Sequence, residues 1–237
     1  MNESNKAVDI QREYYAMTAS RYDEMHLDKD EEHRLALAVM LAAVDHLQVQ
    51  SVLDVGSGTG RTLLFLKHHR PNLRILGVEP VRELREVGHR NGLSLEQLVD
   101  GDALRLDVAN GAFDLVCAFA ILHHIRRPET AVAEMLRTSK KAVFISDANN
   151  FGQGSCLART VKQFINACGL WRAADFVKTK GKGYTITEGD GLAYSYSVFN
   201  NYRQIRQQCR SVHLMNTKDG GPNLYRTASH VALLGVK

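Results

Sequence analysis

The four cysteines, Cys117, Cys156, Cys168 and Cys209, are scattered with no CxxC or CxxH spacing. That argues against a zinc centre or a disulfide framework and for a reducing compartment. No apolar run approaches the roughly 20 residues of a membrane-spanning helix. The stretch Met1 to Tyr15 is polar and charged, which argues against a signal peptide. These readings lead us to expect a cytoplasmic protein with no membrane span. Charge of one sign is also lacking. Thirty Lys and Arg stand against 26 Asp and Glu, a net +4, spread along the chain. That is weak support for a nucleic-acid partner. No internal repeat or low-complexity run is found.

What is present is a glycine turn. The stretch Ser51-Val-Leu-Asp-Val-Gly-Ser-Gly-Thr-Gly60 runs from a short apolar segment into three alternating glycines, and Arg61 to His69 then reads as a helix. Strand, glycine turn and helix together form a nucleotide or cofactor cradle. Gly56, Gly58 and Gly60 let the backbone bend and let a ligand approach with no Cβ in the way. The length of 237 residues suits one α/β domain with an appended subdomain, and an apolar fraction of 44% suffices for its core.

Around this turn the chain alternates. A helix is predicted over residues 7–19. An amphipathic helix over 31–47, with Leu35, Val39, Ala42, Ala43 and Leu47 on one face, should pack on the sheet and carry no chemistry. Strands are predicted over 51–55, 73–78, 97–100, 113–119 and 142–146, with helices over 61–69, 81–90 and 128–138. Such alternation implies a doubly wound, mostly parallel sheet covered on both faces. After Asp147 the rhythm changes. The spacing predicts a loop over 148–154 and a helix over 156–168. A β-hairpin is predicted from Tyr184–Thr187 and Leu192–Val198 around Glu-Gly-Asp-Gly, then a helix over 201–209. Two terminal strands, 211–216 and 229–236, should put one reversed strand into the sheet. Residues 1–30 are read as an N-terminal arm, 31–147 with 206–237 as the main domain, and 148–205 as an inserted lid or dimer surface.

In such a sheet, ligands bind beyond the carboxyl ends of the strands. Asp54 ends strand one, Glu79 ends strand two, and Asp102 follows strand three. A carboxylate at Glu79 suits two ribose hydroxyls, and Asp102 with Ala103 suits an adenine edge. The loop reads GxGxG, not the GxGxxG of dinucleotide binders, and an acid precedes it. A pyrophosphate disfavours that acid, whereas a cofactor with an amino group and a sulfonium tolerates it. S-adenosylmethionine meets all of these conditions.

The motifs Asp-Val-Gly-Ser-Gly-Thr-Gly, Gly-Val-Glu-Pro, Asp-Gly-Asp-Ala and Phe-Asp-Leu-Val-Cys-Ala-Phe-Ala-Ile-Leu-His-His resemble the class I S-adenosylmethionine-dependent methyltransferase family, small-molecule branch. The resemblance covers about residues 10–147 and the terminal strands. It implies a Rossmann-like fold with an antiparallel C-terminal strand. It implies that Asp54, Gly56, Ser57, Gly58 and Gly60 hold the methionyl end. Glu79, beside Pro80, would hold ribose, Asp102 and Ala103 adenine, and Phe119 would line the cleft. Tyr14 and Tyr22 match the N-terminal tyrosines that close over the cofactor in such proteins. The chain departs from the family at Arg137-Thr-Ser-Lys-Lys141, where a Pro-Gly-Gly turn is usual.

The acceptor side is written less clearly. His123 is the candidate general base, with an arm tyrosine, Tyr14, as the other candidate, because a neutral imidazole titrates near neutrality. His124 is read as packing or bonding to backbone, though placed beside the acceptor. Adjacent histidines do not by this spacing alone make a metal pair, so no metal is expected. Asp147 either orients an acceptor or caps the next segment. Lys178, Lys180 and Lys182 beside Tyr184, Tyr194 and Tyr196 suit an acceptor with an anionic and a flat or sugar-like part, or simply a solvated basic loop. The expected reaction is methylation of an O or N on a small molecule. RNA- or protein-directed methylation is one alternative, and a non-catalytic cofactor-binding scaffold is another. Amino methylation of bases uses an Asn/Asp-Pro-Pro-aromatic motif after strand four, where this chain has Ala-Phe-Ala-Ile. A homodimer through the inserted segment is a further expectation.

Overall fold

The computed structural model describes residues 3–21, 31–187, 189–218 and 221–237. Its spine is a seven-stranded sheet: β1 (Ser51–Val55), β2 (Arg74–Val78), β3 (Leu98–Val99), β4 (Phe113–Phe119), β5 (Ser139–Ala148), β8 (Ser211–Asn216) and β9 (His230–Val236). The spatial order is β3-β2-β1-β4-β5-β9-β8. The first five strands are parallel, and β9 runs antiparallel to both β5 and β8. The expected reversed strand is therefore β9, one place in from the edge that β8 forms. Between β1 and β4 the chain switches the side on which strands are added, which opens a crevice at their carboxyl ends.

Alternation along the central strands builds two cores. Leu53, Val55, Val116 and Val143 face α5 (Pro128–Thr138) through Ala131, Val132, Met135 and Leu136. Val52, Leu115, Cys117 and Phe144 face the other layer. There α2 (Glu31–His46) offers Ala36, Leu37, Met40 and Val44, and α3 (Arg61–His69) offers Leu63 and Leu66. The buried face of α2 is thus turned from the expected one. Leu35 is exposed and Ala42 faces solvent, because Ala36, Met40 and Ala43 hold the i, i+4, i+7 stripe. Helix α3 packs on β2, and α4 (Arg82–Arg90), with Leu84 buried, packs on β3.

Helix α1 (Glu3–Thr18) continues into a short 3-10 turn, Ala19–Arg21, and packs on α4 and on the small hairpin. That hairpin, β6 (Tyr184–Thr187) with β7 (Gly191–Tyr194), is separate from the main sheet. It is shorter than expected. Past Tyr194 the chain turns inward, burying Tyr196 and Val198 in the main core. Ahead of it lie α6 (Cys156–Ala167) and α7 (Trp171–Lys178), the second unforeseen from the sequence. Helix α8 (Tyr202–Gln208) and the short α9 (Leu224–Thr227) complete the chain. Helices α6 and α7 expose Leu157, Phe164, Phe176 and Val177. Among the described residues no helix is long and apolar enough to cross a membrane.

Candidate active site

At the carboxyl ends of β1, β2 and β4 lies a cavity of about 230 Å³. The glycine turn forms its floor. Gly56, Gly58 and Gly60 all have positive φ, of 71°, 56° and 79°. A Cβ on Gly56 would stand 2.7 Å from Ile121 Cγ2, so this glycine is needed for close approach as well as for its dihedral. Gly60 works differently. Its Cβ would meet Leu93 and Leu98, so it seats the turn against the core and does not line the cavity. Ser57 ties the turn together by donating Oγ–H to the Asp54 carbonyl at 2.9 Å.

Two carboxylates are buried here. Asp54 is 1% exposed, and its Oδ2 has no hydrogen-bond partner among the described residues. Burial lifts its pKa to about 6, against hydrogen bonds from Ser57 and Cys117 that pull it down. Glu79 accepts the Gly58 N–H through Oε2 and the Val81 N–H through Oε1, both at 2.9 Å. Burial raises its pKa to about 7, outweighing those two backbone donors. Pro80, Asp102, Ala103 and Phe119 join Asp54, Ser57 and Glu79 on the cavity wall. Asp102 is exposed and accepts the Leu104 N–H at 2.9 Å. Ala120, also on the wall, holds a φ of 53°, a strained backbone for a residue with a Cβ.

The other wall is where expectation and structure part. Tyr15, not Tyr14, faces the cavity; Tyr14 lies against the Gly191 backbone. Tyr22 lies outside the described residues. His124 lines the cavity, with Tyr15 Oη 2.9 Å from its Nε2. Its Nδ1 lies 2.6 Å from the Leu192 carbonyl and 3.1 Å from Gln11 Nε2; the shorter contact is to an oxygen that can only accept, which favours the proton on Nδ1. His123 turns away and sits between two acids, Nδ1 at 2.6 Å from Asp147 Oδ1 and Nε2 at 3.1 Å from Asp190 Oδ2. Burial disfavours its charge most, but the Asp147 and Asp190 carboxylates together win and lift its pKa to about 10. Both ring nitrogens are thus engaged by carboxylates and the ring lies off the cavity wall, so His123 is not placed to deprotonate an acceptor there and the neutral-base reading is corrected.

Asp147 is fully buried and accepts from Leu122 N–H, Ala148 N–H and His123, so it orients His123 and meets no acceptor. Lys180 and Lys182 are exposed and lie off the cavity wall. Tyr196 is 3% exposed and donates its hydroxyl to Asn201, which makes it a core residue. Of the expected acceptor residues, Tyr194 and His124 are on the wall. Residues unforeseen there are Val8, Gln11, Arg12, Tyr15, Arg126 and Arg127. The Arg126-Arg127 pair beside Pro128 was the sequence signal for a basic rim. Asp190 was hidden in what reads as an ordinary hairpin turn. His33, on the helix expected to be silent, is buried 6.3 Å from Phe119. Its pKa falls to about 3, by burial first and then by the Arg61 charge.

Residues 53–145 match the model of a methyltransferase domain. This is the segment that carries β1 to β5 and the carboxylates just described. That match agrees with the resemblance to class I S-adenosylmethionine-dependent methyltransferases carried by the sequence motifs. Among curated proteins, the chain is 28% identical over 138 residues to a phosphatidylethanolamine N-methyltransferase of Cereibacter sphaeroides, covering 50% of this chain and 61% of that protein. It is 33% identical over 116 residues to a demethylmenaquinone methyltransferase of Deinococcus radiodurans, covering 46% of this chain and 47% of that one. It therefore spans about half the length of the curated relatives it matches. A methyltransferase of Thermotoga maritima superposes with a TM-score of 0.60 at 20% identity, covering 95% and 99% of the two chains. Magnesium protoporphyrin IX methyltransferase of Synechocystis PCC 6803, solved with S-adenosylhomocysteine, superposes with a TM-score of 0.63 at 16% identity, covering 98% and 99%. The Rossmann-like fold stands as expected, and the methyltransferase-domain match is consistent with the expected cofactor, S-adenosylmethionine.

Proposed function

We propose that this chain transfers the methyl group of S-adenosylmethionine to an O or N of a small molecule bearing an anionic group. The observation that carries the donor half is Asp54 Oδ2, a buried carboxylate oxygen left without a partner among the described residues, beside a glycine cradle. A buried acceptor without a donor is costly, and the amino group of the cofactor supplies one. The cofactor, when bound, brings an electrophilic methyl on a sulfonium. Glu79, whose oxygens keep lone pairs beyond their two backbone donors for ribose hydroxyls, and Asp102 with Ala103 complete a set of residues that fits it.

On the acceptor side, the chain's own groups position and deprotonate. Apolar Val8, Ile121 and Ile125 surround the space, and Arg12, Arg126 and Arg127 bring positive charge to it. An anionic group on the acceptor would pair with these guanidiniums. Holding the nucleophile in line is the main source of rate in such a displacement. The wall formed by Tyr15 and His124 is where the acceptor proton would leave. The two curated relatives are named for a phospholipid and a quinone acceptor, each compatible with an apolar space.

Calorimetry tests the donor half. Binding of S-adenosylmethionine but not NAD supports it, and binding of neither overturns it. A methyl-transfer screen of a metabolite extract with labelled donor tests the acceptor half. Label in RNA or protein alone would favour the macromolecular alternative, and binding without any transfer would favour a scaffold.

A further inference from the structure

Beside the cavity, three side chains from distant parts of the chain point their reactive atoms at one place. His123 and His124 follow β4, and Asp190 comes from the hairpin turn between β6 and β7. One ligating atom from each lies within 4.8 Å of the other two. His123 Nε2 is 3.1 Å from Asp190 Oδ2, and His124 Nε2 is 3.4 Å from Asp190 Oδ1. The two imidazole rings stand 3.9 Å apart, centre to centre.

The far side of each ring is what turns a cluster into a site. His123 Nδ1 bonds to Asp147 and His124 Nδ1 to the Leu192 carbonyl, both at 2.6 Å. Both rings are thereby fixed with Nδ1–H outward and Nε2 inward, the orientation that histidine metal ligands take from their outer partners. Gln11 reinforces the arrangement. It accepts the Leu192 N–H and donates to the Asp190 carbonyl, holding the hairpin in register with the histidines. A tetrahedral centre with ligand bonds of about 2.0–2.1 Å needs ligand–ligand edges of roughly 3.3 Å. The 3.1 Å from His123 Nε2 to Asp190 Oδ2 and the 3.4 Å from His124 Nε2 to Asp190 Oδ1 are each close to that length, one to each carboxylate oxygen.

We propose that His123 Nε2, His124 Nε2 and the Asp190 carboxylate bind a divalent cation of the Zn²⁺ class, which displaces to solvent the proton held between His123 Nε2 and Asp190, with the fourth position open toward the cavity. Two imidazoles and one carboxylate favour a borderline first-row ion over Mg²⁺ or Ca²⁺. Three protein ligands with a vacant fourth corner are the pattern of a working, not a purely structural, centre. Tyr15 Oη, 2.9 Å from His124 Nε2, stands at that open side. The cation's use rests on the reading given above: it would hold the acceptor's oxygen or nitrogen on the wall facing the donor and ease loss of its proton.

The test uses the full untagged chain, freed of metal by chelator dialysis. Zn²⁺ is titrated by calorimetry and Co²⁺ by visible absorption. One equivalent is expected, with the strong bands of tetrahedral Co²⁺. Asp190→Asn lies in a partly exposed turn and should leave the fold intact while weakening Zn²⁺ binding ~10-fold or more. Asp190→Cys should restore binding and add a thiolate-to-Co²⁺ charge-transfer band, which an ion-pair clasp between the hairpin and the histidines would not produce. Binding that survives Asp190→Asn but disappears in His68→Gln/His69→Gln, an exposed pair, overturns the proposal; so does absence of binding. S-adenosylhomocysteine is titrated into the same preparations. Metal binding that fails while this ligand binds sinks the cation site alone. The reverse sinks the donor reading alone.

Discussion

Glu79 reaches from the end of β2 to the glycine turn after β1, and its Oε2 accepts the Gly58 N–H at 2.9 Å. The residue expected to hold a cofactor's ribose thus also fixes the loop that would hold its methionyl end. Glu79→Gln keeps the shape but leaves an amide facing two backbone donors. Hydrogen bonds to a charged group contribute about 1.5–3 kcal/mol each, so S-adenosylhomocysteine affinity should fall ~10- to 100-fold. Calorimetry on the folded variant checks this, and an unchanged affinity would remove Glu79 from the site.

The same two carboxylates set a pH dependence. Asp54 rises from 3.8 to about 6 and Glu79 from 4.5 to about 7, by burial. Each folded pKa exceeds the unfolded one, so the folded chain keeps protons that the unfolded chain releases. Their contribution to stability is complete below about pH 4 and is lost as pH rises through about 6 and 7. Thermal midpoints of the free wild type, taken against Asp54→Asn/Glu79→Gln, should therefore decline across that window. A loss of ~1 kcal/mol corresponds to ~2–4 °C in a chain of this size. A donor on Asp54 and ribose on Glu79 favour the ionised forms. Binding near pH 6.5 should then release protons, seen as a buffer-dependent heat. A heat that is the same in buffers of different ionisation enthalpy would contradict the assignment.

Gly56→Ala separates shape from chemistry. The substitution meets Ile121 Cγ2 at 2.7 Å and a φ of 71°. Ile121 is itself on the cavity wall, so its displacement would narrow the cofactor space. A cost of ~1–3 kcal/mol in stability is expected. Cofactor affinity should fall with it, whereas a pure turn glycine would cost stability alone. Chemical denaturation and ligand titration on one preparation distinguish the two.

These residues also show what the sequence could and could not convey. The turn at Gly56–Gly60 and the strand ends at Asp54 and Glu79 are local. Period-two and helical spacing place them, and β1, β4, α3 and α5 begin and end where the pattern puts them. The acceptor wall is not local. Tyr15, His124 and Asp190 come together only because α1 and the hairpin pack over the end of β4. No periodicity encodes that contact across more than 60 residues. Tyr14 and Tyr15 are adjacent, so a modest rotation of α1 decides which one faces inward. His123 and His124 exchange roles for a similar reason: the 3-10 turn Leu122–His124 sends one ring to buried Asp147 and the other to the cavity. Lys180 and Lys182 drew notice through composition alone, and α7 carries them past the cavity to solvent.

The basic rim gives the last prediction. Arg126 and Arg127 follow the histidines and precede α5, and both line the cavity with Arg12. Both are solvent-exposed, so truncation should leave the fold within about 0.5 kcal/mol of wild type. Each guanidinium is a fixed charge with a planar array of donors, suited to a carboxylate or phosphate. With the acceptor found by the methyl-transfer screen, Arg126→Ala/Arg127→Ala should raise the acceptor KM by ~10-fold or more, with the KM for S-adenosylmethionine unchanged. The proton-accepting wall is elsewhere, so kcat should change less than KM. Lys180→Ala/Lys182→Ala is the matched control, removing the same charge from outside the cavity. If the lysine pair moved the acceptor KM and the arginine pair did not, the anionic group would sit on the inserted segment, and the rim would be a solvated surface.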